Sequence, residues 1–217
     1  MRYEEIDALI PPPATTVRSE GIHLSKVLRQ IAVANKSLAA IYVEDFSLIE
    51  VSGESEGWWD TLDELSKLRM AIGMAWEEWY MPKLPNVVHQ PGELCLEGVF
   101  MTPDGESLDY FYTIKYRIPV PGDIIEYALH ECKTTSKSTK RIEENGLEGQ
   151  YLWISQCKAY CKAMGTRVCY LHVLFLCGDY KFPIRPQLRV WRIEFTQLEM
   201  DVSWETLSSY IRMHPED

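Results

Sequence analysis

"TRVCYLHVLFLCG", residues 166–178, is the stretch that most restricts the fold. It is almost continuously apolar, yet far shorter than the roughly 20 residues that span a bilayer. Its bulky apolar content reads as a strand, and a strand apolar on both sides has to be covered on both faces. The expected fold class is therefore α/β (α+β), with a central sheet flanked by helices.

The rest of the chain supplies the elements for such a sheet. "IPPPATT" predicts an extended N-terminal arm. Ile22, Leu24, Val27, Leu28, Ile31 and Val33 predict an amphipathic helix from Ile22 to about Ala39. "AAIYVEDFSLIEV" reads as an irregular or strand-like connector and "SGESEG" (52–57) as a loop. A long helix is expected from about Trp59 to Trp79, ended by Pro82. "ELCLEGVFM" (93–101), "DYFYTIKYRIPV" (109–120) and "IIEYALHEC" (124–132), bounded by turn sequences, predict three strands of an antiparallel meander. "TTSKSTKRIEENGLEG" reads as a loop, followed by a helix from about Gln150 to Met164 that Gly165 stops. After the apolar strand, "QLRVWRIEFT" (187–196) alternates as a further strand, and Thr196 with Glu199 is a capping-box pattern for a last helix to about Met213. The chain divides into an arm and helix (1–55) and a main domain (56–217), expected to form one compact unit.

Composition narrows the class further. With 217 residues, 46% hydrophobic and 25% charged, the chain can bury a core, which excludes a disordered or collagen-like protein. "MRYEEIDALIPPP" lacks the basic-then-apolar layout of a signal peptide, and no membrane-spanning run follows, so the expected location is the cytosol. The six cysteines form no CxxC pair and read as reduced, mostly buried thiols, with little in their spacing to suggest an iron–sulfur cluster. The net charge of −10 argues against a nonspecific nucleic-acid coat but leaves room for a local basic path. Lys133, Lys137, Lys140 and Arg141 lie in one stretch without an acid, followed by Lys158, Lys162 and Arg167.

The chemistry centres on "HECKTTSKS" (130–138). On a strand, Glu131 and Lys133 project to one face and Cys132 to the other, toward the core. A carboxylate can bind a divalent metal, while a neighbouring ammonium can position a water and stabilise charge on a phosphate. Alone, such a pair is a surface ion pair worth a few tenths of a kcal/mol. Asp104, in the turn sequence "TPDG", offers a second acid. Gln156 and Tyr160 lie one helical turn apart and share a face. Glu77 sits near the end of its helix, a poor place for a carboxylate on dipole grounds. His89 reads as a residue of a solvated loop, His130 points away from Glu131, and the tryptophans read as packing.

Taken together, these stretches resemble the PD-(D/E)xK nuclease superfamily, and within it the RecB-like and lambda-exonuclease-like branches. "TPDG" resembles the acidic turn of that family, "ECK" its ExK motif, "GMAWEE" its helix motif with Gly73 four residues before Glu77, and "QCKAY" its QxxxY motif. The four stand in the family's order, and residues from about 59 to 178 resemble its αβββαβ core. The resemblance implies a restriction-endonuclease-like fold and a deoxyribonuclease dependent on one or two Mg²⁺ or Mn²⁺ ions. Glu77, Asp104 and Glu131 would be metal ligands, Lys133 would orient the attacking water, and Gln156, Tyr160 and Lys137 would brace the lysine or contact DNA. It also implies DNA as partner, an exonuclease role in recombination, repair or phage DNA metabolism, and a bacterial or phage-infected cytoplasm. A homo-oligomer or a phage or host recombination partner is compatible with it.

The 27 positions from Asp104 to Glu131 exceed the compact hairpin of many members, which leaves Glu97 and Asp109 as alternative acids. A catalytically silent nuclease-fold module that binds DNA or assembles with a protein is the competing expectation. A restriction-type endonuclease is a third, with the N-terminal residues or last helix as the sequence-reading extension.

Overall fold

The computed structural model describes residues 19–34, 64–108 and 127–214. The arm, the connector, the "SGESEG" loop and the expected strand 109–120 lie outside the described residues. In chain order the elements are β1 (Ile22–His23), α1 (Leu24–Ala34), α2 (Glu64–Tyr80), β2 (Val88–His89), β3 (Leu94–Leu96), β4 (Val99–Met101), β5 (Gly105–Leu108) and β6 (Tyr127–Thr135). They continue with α3 (Thr139–Asn145), α4 (Tyr151–Met164), β7 (Val168–Phe175), β8 (Gln187–Glu194) and α5 (Gln197–Met213).

The fold is mixed α/β, as the apolar stretch at 166–178 requires. Five strands form the main sheet in the order β2-β5-β6-β7-β8. β6 and β7 run parallel, which demands a crossover, and α4 lies in it. The other pairs of this sheet are antiparallel. β7 is buried along nearly its whole length, consistent with cover on both faces.

The two faces follow from strand alternation. Leu129, Glu131 and Lys133 of β6 share a face with Cys169, Leu171, Val173 and Phe175 of β7. Over that face lies the main core, built with Leu24, Val27 and Leu28 of α1, Cys157, Tyr160 and Cys161 of α4, and Met200, Trp204 and Leu207 of α5. On the opposite face, Ala128, Val168 and Tyr170 form a small second cluster. α2 crosses this side, and Gly73 lets it approach β6 closely: a Cβ there would stand 3.0 Å from Thr134 Oγ1.

The helix ends show why these segments stop where they do. Thr196 and Glu199 make both bonds of the capping box at the start of α5. Gly165 adopts φ 70° after α4, the left-handed conformation that glycine takes without steric cost.

Three expectations are corrected. Residues 93–101 are a hairpin rather than one strand: Glu97 and Gly98 both take positive φ (52° and 83°) and reverse the chain between β3 and β4. Nor do β3 and β4 belong to the meander; with β1 they form a separate sheet of order β1-β4-β3. The "TTSKSTKRIEENGLEG" loop contains α3, which begins because the Ser138 side chain accepts the N–H of Lys140 at 3.3 Å. The first helix ends its described course at Ala34. All six cysteines are free, as expected; Cys95 is exposed and Cys177 half-buried, the other four buried. Among the described residues, no helix is long and apolar enough to cross a membrane.

Gly105 is the tightest point where β5 meets its neighbours. A Cβ there would come within 2.5 Å of Met81 Cε, 3.0 Å of Val87 Cγ1 and 3.3 Å of the Val88 carbonyl oxygen. Gly105→Ala is expected to cost about 1–3 kcal/mol through overpacking. Urea denaturation measures it, and an unchanged midpoint would mean that β2 and β5 are not packed as described.

Candidate active site

The site arises where pairing along β6 becomes one-sided. β5 pairs with β6 only from Leu108 opposite Tyr127 to Gly105 opposite His130, whereas β7 follows β6 through to Thr135. From Glu131 onward one edge of β6 is open among the described residues. The next backbone donor along that edge, the N–H of Cys132, is taken by a side chain: Asp104 Oδ2 accepts it at 2.6 Å. The Asp104 carbonyl in turn accepts the N–H of Gln90 at 2.9 Å. The "PDG" turn is thereby fixed with its carboxyl against the ExK strand.

Glu131 is 1% exposed. Its Oε1 accepts a hydrogen bond from Lys133 Nζ at 2.5 Å, and its buried Oε2 has no hydrogen-bond partner among the described residues. An unpartnered buried carboxylate oxygen costs free energy, so it marks a place where a further cation or donor can be accommodated. α2 brings Glu77 to the same group, with its Oε1 3.4 Å from His89 Nε2. On α4, Gln156 Nε2 donates to the Tyr160 hydroxyl at 2.9 Å.

Crowded acids resist ionisation together. Burial, followed by the neighbouring Asp104 charge, pushes Glu131 up to about 8 despite the opposing pull of Lys133. The same two causes push Glu77 up to about 7, with the Gln90 side chain opposing. Asp104 is raised by burial, opposed by Lys133, the Cys132 N–H and His89. For Lys133, burial favours the neutral amine, but Glu131 and Asp104 outweigh it, so its pKa rises and it stays an ammonium. Tyr160 is raised by burial and then by Glu131, which keeps its hydroxyl protonated. Cys132 is raised by burial and by Asp104 and Glu131, which rules out a thiolate there at neutral pH.

Among the described residues, no group of three or more His, Cys, Asp or Glu side chains stands ready-made to hold a metal ion. A hard octahedral ion needs less than that: Mg²⁺ commonly takes one or two carboxylates and completes its shell with water and phosphate oxygens. Asp104 and the orphaned Oε2 of Glu131 fit that requirement, and one divalent charge would relieve the mutual repulsion of the acids.

Asp104, Glu131 and Lys133 are thus brought together as the sequence arranges them, with Glu77 electrostatically coupled to the group. Gln156 and Tyr160 share a face and bond to each other, and Tyr160 feels the charges of Glu131, Lys133 and Asp104. Lys137 is buried in the turn after β6, its backbone N–H on Thr135 Oγ1 at 3.1 Å. Glu97 belongs elsewhere: its Oε2 accepts from Trp204 Nε1 at 2.9 Å and Ser208 Oγ at 3.4 Å, tying α5 to the small sheet. Asp109 lies outside the described residues. His89 is corrected from a solvated-loop residue to a half-buried strand residue beside Glu77, placed there by the pairing of β2 with β5. Nothing local in "VVHQPGE" signals that pairing. His130 points away from Glu131, as alternation requires.

The chain matches no protein-family model and no curated protein. Among solved structures it is similar to the alkaline exonuclease LHK-Exo from Laribacter hongkongensis, at 17% identity over 89% of this chain and 87% of that one, with a TM-score of 0.47. LHK-Exo in complex with dAMP aligns at 18% identity over 86% and 85% of the two chains, TM-score 0.46. The protein SSO0001 aligns at 11% identity over 89% and 78%, TM-score 0.45. Likeness of this extent assigns no activity.

The raised carboxyls make stability depend on pH. Between about 4.5 and 8 the folded chain keeps protons on Glu77 and Glu131 that the unfolded chain releases. This contribution is complete below the unfolded values near 4.5 and is lost as pH rises through about 7 and 8. In EDTA the melting temperature should therefore fall from pH 6.5 to pH 8, above the range in which the buried His172, held down to about 3, makes stability rise with pH, and Mg²⁺ should reduce the fall. A melting temperature that climbs over this range would contradict the description of the acid group.

Proposed function

We propose that this chain is a metal-dependent nuclease that hydrolyses DNA phosphodiester bonds at the open edge of β6. The observation that carries the reading is the meeting of Asp104, Glu131 and Lys133 there, with one carboxylate oxygen of Glu131 buried and unpartnered. The resemblance of the four sequence stretches to exonuclease-containing branches of the PD-(D/E)xK superfamily supports an exonuclease. It also supports a role in recombination, repair or phage DNA metabolism.

The roles follow from the groups themselves. Asp104 and Glu131, assisted by Glu77, would hold Mg²⁺ or Mn²⁺. A bound ion of this kind supplies a water of lowered pKa and neutralises charge on the phosphate. Lys133 has three N–H donors, one of which is committed to Glu131 Oε1. The others can orient the attacking water and steady a non-bridging phosphate oxygen. As an ammonium, Lys133 acts as donor and fixed charge rather than as the base. Tyr160, held by Gln156, keeps a neutral hydroxyl beside this charge system, where the two would brace Lys133 or contact the DNA backbone.

A silent DNA-binding or assembly module has one specific observation in its favour, the absence among the described residues of a ready-made three-ligand metal group. Activity separates the two. Purified protein should degrade linear DNA in Mg²⁺ or Mn²⁺ and not in EDTA. Lys133→Ala should lower the rate ~100-fold or more while the melting temperature of the metal-loaded protein changes little. Cleavage by Lys133→Ala at the parent rate would exclude this site as the reaction centre, and no cleavage by the parent under any metal would favour the silent module.

A further inference from the structure

The face of the sheet opposite the acids carries a chain of hydrogen bonds that the chemistry above does not use. The Tyr80 hydroxyl lies 3.1 Å from His172 Nδ1, His172 Nε2 lies 3.0 Å from His130 Nδ1, and His130 Nε2 lies 2.8 Å from Ser107 Oγ. Ser107 Oγ in turn donates to the Leu108 carbonyl at 3.1 Å. That last bond sets the direction of the rest. With its proton spent on Leu108, the serine hydroxyl accepts from His130 Nε2–H, which leaves His130 Nδ1 to accept from His172 Nε2–H and His172 Nδ1 to accept from Tyr80. Donation runs one way, from Tyr80 through two neutral imidazoles to a backbone carbonyl. Both histidines and Ser107 are buried, where a missing partner is costly.

The attachment points of this chain match the elements that carry the acids. Tyr80 is three residues beyond Glu77 on α2, Ser107 three beyond Asp104 on β5, and His130 one before Glu131 on β6. His172 of β7 connects the first to the other two. Packing alone does not hold these elements together, because a cleft of about 380 Å³ opens between residues 84–87 and the sheet, lined by Tyr80, Ser107, His130 and His172. Stacking adds alignment: the His130 and His172 rings lie 5.3 Å apart at 21°, and Trp76 stacks on Tyr80 at 4.8 Å and 12°.

We infer that Tyr80, His172, His130 and Ser107 are positioning residues that set the mutual placement of Glu77, Asp104 and Glu131 through the sheet, so that the distance between carboxylates is fixed by a network none of them joins. This rests on the nuclease reading of the acid group. Outer-sphere supports of metal ligands are typically worth about 10–100-fold in metal affinity or activity, and a network acting one element away belongs at the lower end.

The test uses the full chain and Mn²⁺ alone as probe. Mn²⁺ binding is titrated calorimetrically for the parent, Tyr80→Phe, Ser107→Ala, Ser107→Thr and the Tyr80→Phe/Ser107→Ala double variant, with kcat and KM on linear DNA measured alongside. Tyr80→Phe and Ser107→Ala should each weaken Mn²⁺ binding and lower kcat roughly tenfold, with KM for DNA within about twofold of the parent. Ser107→Thr, which keeps the hydroxyl, should recover most of the loss, and the double variant should lose far less than the product of the singles. Parent-like Mn²⁺ affinity and kcat in the folded single variants, with only a lowered melting temperature, would show a merely structural network and overturn the inference while leaving the nuclease reading intact. A parent that neither binds Mn²⁺ nor cleaves DNA would overturn both.

Discussion

The bond from the Cys132 N–H to Asp104 Oδ2 is the interaction on which the site depends. A sheet normally spends such an edge donor on the next strand, but here β5 stops pairing at Gly105 and a carboxylate takes its place. Two consequences come from this one substitution. The ladder ends without leaving a buried N–H unpaired, and a negative charge is delivered to the strand that already carries Glu131 and Lys133. Gly105, where a Cβ would press on Met81, Val87 and the Val88 carbonyl, keeps the turn seated against β2 while this happens.

The electrostatics then read as an unfinished balance. Burial raises the proton affinity of Glu77, Asp104 and Glu131, the Asp104 charge adds to it at Glu77 and Glu131, and Lys133 answers only part of their charge. A group designed only for stability would pair every oxygen; Glu131 Oε2 is left without a partner among the described residues. Such local violations mark candidate functional sites, which is why the acid group carries the proposed function. The chain's net charge of −10 argues against a phosphate-binding surface spread over the whole molecule, so the proposed reading confines phosphate contact to a small region.

Much of this was legible in the sequence because it is local. Thr196 and Glu199 announce their helix three residues apart, Gly165 ends its own, and the Glu131–Lys133 face follows from strand alternation alone. Gly73 and Glu77 were legible as a pair, although the reason for the glycine, the approach of α2 to Thr134, was not. What the sequence hid is long-range or unusual in its turn chemistry. Glu97-Gly98 reverses the chain without the Asn-Gly or Asp-Gly signal of a tight hairpin, so β3 and β4 read as one strand. His89 reaches Glu77 only through the β2–β5 pairing, and the Tyr80–His172 contact joins residues 92 apart. No pattern within one segment encodes either. The Ser138 cap that starts α3 went unread, and the stretch around it read as a loop.

The proposed reaction stands on a divalent-metal site formed by Asp104 and Glu131 at the open edge of β6. Crystals soaked in Mn²⁺ and measured for anomalous scattering test it most directly. The account predicts an anomalous peak in contact with the carboxylates of both residues, lost on washing with EDTA. An occupied Mn²⁺ site elsewhere on the chain, with the Asp104 and Glu131 carboxylates free of metal at saturating concentration, would contradict it.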